Sequence, residues 1–294
     1  MVDDLTKDYG RRRALDKLSL EVRRGEVYGF LGPNGAGKTT TLRILLDLLR
    51  PTSGRATVLG LDAQRDAIAV HRRVAYVPGD VALWPQLTGG QAIDALLALH
   101  GSADRSRRDE LVEEFQLDPT VRVRAYSKGN RQKVALIAAF AADAELMILD
   151  EPTSGLDPLM EAAFRRRLTA ARGEGRTVLL SSHILGEVES VCDRVGIIRE
   201  GRLVETGTLD ELRHLSAYTV EAETTERPDL ESVDGVTEVW IGSTGNGYRV
   251  RCRVRPEATA ALLAMLTRAG VTTLVSRPPS LEELFLRYYD DASL

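Results

Sequence analysis

Short apolar runs alternate with amphipathic segments over most of the chain, and this alternation predicts an α/β fold. Residues 14–31 alternate between polar and apolar side chains and end in a buried strand, Val27–Leu31. Further apolar runs predict three more strands, at Val74–Val77, Leu146–Leu149 and Thr177–Leu180. Because Leu146–Leu149 is apolar without interruption, it is typical of a strand in a parallel sheet.

Residues 86–141 predict a mainly helical region between two of these strands. One apolar face is supplied by Ala92, Leu96, Leu97 and Leu99, and another by Leu111, Val112 and Phe115. Ser127 is the predicted N-cap of a third helix, because a serine hydroxyl can accept a hydrogen bond from a free backbone N–H group. The apolar positions of that helix include Val134, Ile137, Ala138 and Ala141.

The other connections continue the α/β pattern. A largely apolar helix over residues 42–49 is stopped by Pro51 and Gly54, and a second helix covers residues 159–172. A closing hairpin across Glu200-Gly201 is predicted from the paired runs Val195–Ile198 and Arg202–Val204.

The pattern changes near residue 215, which predicts a domain boundary there. Four short strands follow, at Tyr218–Glu223, Thr237–Ile241, Tyr248–Val254 and Thr272–Val275. A helix over Pro256–Ala269 begins with proline and is followed by glycine. The capping box Ser280–Glu283 opens a last helix with Phe285 and Tyr288 on one face, and this face either packs on its own sheet or closes a dimer. We therefore expect a small C-terminal α+β domain, residues 216–294, with a ferredoxin-like sandwich.

Composition limits the partners of the chain. The 294 residues carry a formal net charge of −4, so there is no global basic surface and nucleic acid is not expected as a partner. Two distant cysteines, Cys192 and Cys252, match no metal or redox spacing and indicate a reducing compartment.

No part of the sequence predicts a membrane span. The longest apolar run, Val134–Ala142, is about half of the roughly 20 residues that a spanning helix needs. The first residues, Met1–Asp4, are acidic and lack an apolar segment, so we expect no signal peptide. If the protein serves transport, another chain must cross the membrane.

A phosphate-binding loop is predicted between the strand ending at Leu31 and the helix that follows it. The sequence fits the pattern G-x-x-x-x-G-K-[ST] and consists of Gly32, Pro33, Asn34, Gly35, Ala36, Gly37, Lys38 and Thr39. Its glycines let backbone N–H groups turn towards phosphate oxygens, and the helix N-terminus adds positive potential. We expect Lys38 to reach the β- and γ-phosphates of ATP, Thr39 to bind Mg²⁺ and Thr40 to assist at the α-phosphate.

Two acidic residues follow the apolar run Leu146–Leu149. The strand carries Asp150 to the carboxyl edge of the sheet, where its carboxylate can hold Mg²⁺. Glu151 is the candidate general base, because a carboxylate within hydrogen-bond reach can polarise the attacking water. Taken alone, the pair is equally well explained as a solvated acidic turn, and the phosphate loop is what favours the functional interpretation.

Further segments resemble the ATP-binding cassette (ABC) family. Tyr126–Gln132 resembles the family's signature loop, with Ser127 and Gly129 at the positions of its serine and second glycine, although Lys128 and Asn130 depart from the commonest form. The resemblance implies that both residues contact the γ-phosphate of an ATP bound by a second copy of the chain. It therefore implies a homodimer.

Three other positions match this family. Asp157, in Ser154–Asp157, resembles the aspartate of the D-loop, which crosses the dimer interface. His183 resembles the switch histidine, which contacts the γ-phosphate and holds Glu151 and the water in place. Tyr9 resembles the aromatic residue that stacks on adenine, with a packing tyrosine as the alternative.

One position departs from the family pattern. After the strand that ends near Pro78, the family has a glutamine that touches Mg²⁺ or the water, whereas this chain has Gly79. Asp80 comes next and could substitute as a metal ligand, or the loop couples without a metal contact. Trp84 and the helices of a subdomain over about residues 80–140 would dock a membrane subunit, although Trp84 could equally be a core residue.

The resemblance covers residues 1–215 as an ABC-type ATP-binding domain and is strongest to ATP-binding subunits of bacterial drug and antibiotic exporters of the daunorubicin-resistance type. It implies an ATPase that works as a homodimer at the inner face of the cell membrane and powers a separate transmembrane permease. Two alternatives are a soluble ABC ATPase acting on ribosomes or nucleic acid, and a regulatory module that binds ATP without hydrolysing it.

Overall fold

The computed structural model describes residues 1–101, 104–214 and 217–277 and divides the chain into two compact units, Met1–Thr206 and Gly207–Leu294. The strands are β1 (Val2–Tyr9), β2 (Arg12–Leu20), β3 (Val27–Leu31), β4 (Ser53–Val58), β5 (Leu61–Asp62), β6 (Val74–Val77), β7 (Leu146–Asp150), β8 (Thr177–Ser182), β9 (Arg194–Arg199), β10 (Arg202–Thr208), β11 (Tyr218–Thr224), β12 (Val236–Thr244), β13 (Gly247–Val254) and β14 (Val271–Arg277). The α-helices are α1 (Lys38–Leu45), α2 (Ala67–His71), α3 (Gly89–His100), α4 (Arg105–Glu114), α5 (Lys128–Ala141), α6 (Pro158–Gly173), α7 (Leu185–Val191), α8 (Leu209–His214) and α9 (Thr259–Arg268).

The first unit is built around a six-stranded sheet with the order β10-β9-β3-β8-β7-β6. Strands β9, β3, β8, β7 and β6 run parallel to one another. Every residue of β3, β7 and β8 is buried, as expected for strands of a parallel sheet that is covered on both faces. The carboxyl ends of these strands therefore meet at one edge of the sheet.

A second sheet of the first unit is four-stranded, with the order β2-β1-β4-β5. The alternating stretch 14–31 is thus two strands in different sheets, separated by a turn in which Gly25 has a φ of +76°. A common core joins the two sheets and α1, and it includes Leu5, Leu18, Phe30, Leu42 and Ile148.

The predicted helical region contains α3, α4 and α5. Phe140 of α5 lies between Phe115 and Phe164, with ring centroids 6.3 and 6.0 Å apart. The apolar face predicted for the first helix is wrong at Leu99, which is 73% exposed, whereas Ile93 is fully buried. The reason is helical geometry, because Leu99 lies two residues after the buried Leu97, which places it about 200° away around the helix axis.

The second unit contains the four-stranded antiparallel sheet β12-β13-β11-β14. All four predicted C-terminal strands are present, and α9 packs its buried Leu262 and Leu266 against this sheet. The strand order is that of a ferredoxin-like sandwich, but residues 225–235 connect β11 to β12 without a helix. The predicted last helix, with Phe285 and Tyr288, lies outside the described residues. The predicted domain boundary near residue 215 stays a prediction.

Candidate functional site

Four loops meet at the carboxyl edge of the six-stranded sheet. In the parallel register, Leu31 lies opposite Ser182, Asp150 opposite Ser181, and Val77 opposite Leu149. The residues that follow these strand ends are consequently neighbours in space. They are the phosphate loop after β3, Gly79 after β6, Glu151 after β7 and His183 after β8.

The phosphate loop surrounds a cavity of about 290 Å³. Its lining includes Pro33, Asn34, Gly35, Gly37, Lys38, Thr39 and Thr40, together with Tyr9, Arg12, Ala14 and Glu151. Gly37 has a φ of +115°, and a Cβ there would lie 2.7 Å from a methyl group of Leu15. A side chain would therefore be strained and crowded at the start of α1.

Gly32 and Ala36 support the loop from beneath. A Cβ on Gly32 would lie 2.5 Å from the carbonyl oxygen of Ile198, so only glycine allows this close approach. Ala36 is buried, and its carbonyl oxygen accepts a hydrogen bond of 2.9 Å from the Gly201 N–H. These contacts anchor the loop to the β9–β10 hairpin.

Lys38 is the buried cation of the site. Its Nζ donates hydrogen bonds to the carbonyl oxygens of Gly32 at 2.6 Å and Pro33 at 3.1 Å, and it lies 3.9 Å from a carboxylate oxygen of Glu151. Burial lowers the pKa of the Lys38 ammonium below its ordinary value, while the nearby Glu151 and Asp150 carboxylates oppose this shift. The ammonium is thus surrounded by oxygen acceptors within the phosphate loop.

Asp150 and Glu151 have different surroundings although they are adjacent. Asp150 is 3% exposed and accepts a short hydrogen bond from the Ser181 hydroxyl of the neighbouring strand. Sequence reasoning did not assign Ser181 a role, and the parallel pairing of Asp150 with Ser181 is what brings them together. Glu151 leaves the strand with a φ of +47°, and its N–H donates to the Ser181 carbonyl at 3.0 Å.

His183 is in direct contact with Glu151. The His183 Nδ1 lies 3.1 Å from the Glu151 Oε1, and the histidine side chain is 46% exposed. Lys38, Glu151 and His183 therefore form one chain of polar contacts at the sheet edge. A carboxylate held between an ammonium and an imidazole is suited to orienting a water molecule or to exchanging a proton with it.

Tyr9 lies at the mouth of the same cavity. Its side chain is 48% exposed, and the Lys7 Nζ lies 5.1 Å from the centroid of its ring. The Lys7 ammonium donates to the Arg50 carbonyl at 2.7 Å, which fixes the cation over the ring. An exposed aromatic ring beside a phosphate loop can stack on a nucleotide base.

The signature loop packs against the D-loop of the same chain. Ser127 caps α5, because its hydroxyl accepts a hydrogen bond of 3.2 Å from the Asn130 N–H. A Cβ on Gly129 would lie 2.4 Å from the Gly155 carbonyl oxygen, so glycine is required by this packing. The predicted cap is present, and the tight contact with Gly155 is an additional role for Gly129.

Asp157 and Gln132 complete this contact region. The Asp157 carboxylate caps α6 by accepting from the Met160 N–H at 3.0 Å. Gln132 is 1% exposed, and its Nε2 donates to the Pro152 carbonyl at 3.0 Å. Among the described residues, Ser127, Gly129 and Asp157 do not line the phosphate-loop cavity of their own chain.

Gly79 lies directly beside the acidic pair. A Cβ at this position would lie 3.3 Å from the Asp150 carbonyl oxygen and 3.8 Å from the Glu151 Cβ. Asp80 is exposed and is not part of the cavity lining.

The described chain contains no cluster of three or more His, Cys, Asp or Glu side chains that could hold a metal ion. The Thr39 hydroxyl and the Asp150 carboxylate are hard oxygen donors, which fits Mg²⁺ held by few protein ligands together with phosphate oxygens.

Known proteins with similar sequences are ATP-binding proteins of ABC transporters, in keeping with the phosphate loop described here. The sequence profile of the ABC transporter family matches residues 15–154, and that of the C-terminal domain of DrrA1-3-like ATP-binding proteins matches residues 207–289. The daunorubicin resistance ATP-binding protein DrrA3 of Streptomyces coeruleorubidus is 37% identical over 99% of this chain and 95% of its own length.

Two solved structures have similar folds. One is an ATP-binding subunit of an ABC transporter, with 33% identity and a TM-score of 0.68 over 72% of this chain and 90% of its own. The other is a dimeric, post-hydrolysis ATP-binding cassette with bound ADP and phosphate, with 23% identity and a TM-score of 0.64 over 71% of this chain and 97% of its own. The predicted fold class is confirmed.

Proposed function

The chain belongs to the ATP-binding subunits of the ABC transporter family, and from this membership we propose that it hydrolyses ATP to drive the export of drugs or antibiotics. The contact between His183 and Glu151, beside the buried ammonium of Lys38, is the observation that carries the proposal. The similarity to the daunorubicin resistance protein DrrA3 supports drugs or antibiotics as the class of substrate.

In the proposed hydrolysis, Glu151 orients the attacking water by accepting a hydrogen bond from it. His183 holds the Glu151 carboxylate in place and contacts the γ-phosphate. Lys38 donates to the β- and γ-phosphate oxygens, while backbone N–H groups of the loop from Gly32 to Thr40 cradle the phosphates. The reaction is phosphoryl transfer to water, and charge neutralisation together with positioning lowers its barrier.

We propose that Mg²⁺ accompanies the nucleotide. Thr39 and Asp150 would hold it, and when bound it would neutralise charge on the phosphate oxygens. Asp80 remains a weaker candidate ligand, because it is exposed and lies outside the cavity lining. Gly79 has no side chain that could contact the metal. In this proposal, the loop therefore couples to the membrane subunit without a metal contact.

The proposed active form is a homodimer. Ser127 and Gly129 of each chain contact the γ-phosphate held by the phosphate loop of the other, and Asp157 lies at the interface between them. The position of the two signature residues outside the cavity of their own chain supports this arrangement. Tyr9 stacks on the adenine of the ATP bound in its own chain.

A separate transmembrane permease is the proposed partner. Within the described ranges of the chain, no helix has the length and apolar character needed to cross a bilayer. We propose that residues of about 80–140, with the 48% exposed Trp84, dock the permease at the inner face of the membrane. Residues 216–294 form an accessory domain in this proposal, and no nucleic acid takes part.

The experiment is the substitution Glu151→Gln, which keeps the size of the side chain and removes its basicity. We expect ATP hydrolysis to fall by about 100-fold or more, because general-base assistance contributes at least that much. Drug accumulation in cells that co-express the permease should rise to the level without the ATP-binding subunit. Glu21→Gln, at an exposed position away from the site, is the matched control.

Equal hydrolysis by the wild type and Glu151→Gln would remove Glu151 from the catalytic role. Loss of hydrolysis without any change in drug accumulation would keep the ATPase and overturn the proposed export.

A further inference from the structure

Three consecutive arginines, Arg11–Arg13, occupy the hairpin between β1 and β2, and their surroundings differ. Arg13 pairs with the carboxylates of Asp8 at 2.9 Å and Asp16 at 3.1 Å. Arg11 is exposed and does not line the phosphate-loop cavity. Arg12 does line that cavity. The sequence gives no reason to separate these three residues, and only the fold does so.

The hairpin places Arg12 beside Tyr9. The two residues are directly opposite in the antiparallel register of β1 and β2. Gly10, with a φ of +58°, allows the tight turn between them. Since directly opposite residues of an antiparallel pair project from the same face, both side chains reach the cavity mouth together.

The Arg12 guanidinium also approaches the phosphate loop itself. One of its terminal nitrogens lies 3.7 Å from the position that a Cβ on Gly35 would take. Gly35 has none, so the guanidinium faces the open backbone of the loop. Within the described part of the chain, the Arg12 side chain forms no ion pair or hydrogen bond, so its guanidinium donors are available to a ligand.

We propose that Arg12 binds a phosphate oxygen of the nucleotide and so acts as a second cation of the site, in addition to Lys38. The inference rests on the proposed ATP binding and deepens it. An arginine presents several fixed donors that match phosphate oxygens, and it stays charged at any physiological pH. Because the residue is exposed and unpaired, its charge serves the ligand rather than the fold.

The test measures equilibrium binding of ATP and of adenosine to the full chain and to three variants, Arg12→Ala, Arg12→Lys and Arg11→Ala. We expect Arg12→Ala to weaken ATP binding by about 10- to 100-fold, the range for a lost charge-assisted hydrogen bond. Arg12→Lys should recover part of the loss. Arg11→Ala should bind ATP like the wild type, and adenosine binding should be the same for all four proteins.

Salt provides an independent readout. The difference between the wild type and Arg12→Ala should shrink as the salt concentration rises, because an exposed charge interaction is screened. The wild type and Arg12→Ala should unfold at the same temperature, since the Arg12 side chain has no partner within the described chain.

Two outcomes would overturn the inference. One is equal ATP affinity of Arg12→Ala and Arg11→Ala, and the other is an equal loss for adenosine, which would place Arg12 on the base. If the wild type itself bound no ATP, the proposed function would fail instead, and the two failures are thereby distinguishable.

Discussion

The backbone at Glu151 is strained at the residue that the proposed mechanism uses as a base. Glu151 has a φ of +47°, in the left-handed region that costs a residue with a side chain about 1 kcal/mol or more. This conformation ends β7 and turns the carboxylate towards His183 and Lys38. The strained backbone conformation is therefore the one that places the carboxylate beside His183 and Lys38.

Comparison of Glu151→Gly with Glu151→Ala tests this account, because both variants lose the carboxylate and its two contacts. Glycine adopts the left-handed conformation without the steric cost that alanine has. We expect Glu151→Gly to be the more stable by about 1 kcal/mol, or roughly 2–4 °C in unfolding temperature. Thermal unfolding of the two proteins measures the difference. A Glu151→Ala protein that is as stable as Glu151→Gly would contradict the account.

Sequence alone predicted which side chains meet at the site but not how they are held. Lys38 and Glu151 follow apolar strands, and parallel strands end at one edge, so their proximity could be predicted from the pattern. The contact of His183 with Glu151 was implied by the resemblance to the ABC family. The hydrogen bond from Ser181 to Asp150 and the position of Arg12 depend on strand register and on a turn. Neither leaves a periodic signal in the sequence.

At the scale of elements, α5 is held against the loop after β7. Three contacts join them: Gln132 to the Pro152 carbonyl at 3.0 Å, Lys128 to the Ser154 hydroxyl at 2.7 Å, and Gly129 against Gly155. These three contacts couple the signature loop to the D-loop. In the proposed dimer, these contacts join the helical region to the residues that follow Glu151, the proposed general base.

The buried hydrogen bond of Gln132 is the contact to remove. Gln132→Met keeps the length of the side chain but leaves the Pro152 carbonyl without its donor, so we expect the free energy of unfolding to fall by about 1–3 kcal/mol. Chemical denaturation measures this change. Gln86→Met, at an exposed glutamine, is the control and should be nearly neutral. Equal stability of the two variants would show that the bond does not hold α5 to the loop.

Element type was predictable where a strong period or a turn signal was present, as in the hairpin with Glu200 and Gly201 at φ values of 48° and 78°. The buried face of α3 was less predictable. Leu99 is as apolar as Leu97, and only the packing of α3 on α5 exposes one and buries the other. The missing helix between β11 and β12 likewise could not be inferred from strand order.

At the scale of the whole molecule, the separation of the signature loop from the phosphate-loop cavity decides how a complete site forms. Ser127 caps α5 and is exposed, and it is not among the described residues that line the cavity. A single chain would thus contribute its phosphate loop to one site and its signature loop to another. If the proposed homodimer has twofold symmetry, both sites are completed at once.

Mixing two inactive variants distinguishes a shared site from one confined to a single chain. Lys38→Ala removes the phosphate-loop cation, and Ser127→Arg blocks the signature loop. In a mixed dimer, one shared site pairs the intact phosphate loop with the intact signature loop, so random mixing should restore about a quarter of wild-type hydrolysis. A chain carrying both substitutions, mixed with Lys38→Ala, is the control and should stay inactive. Sites confined to one chain would leave both mixtures without activity, because each chain would still carry a broken site.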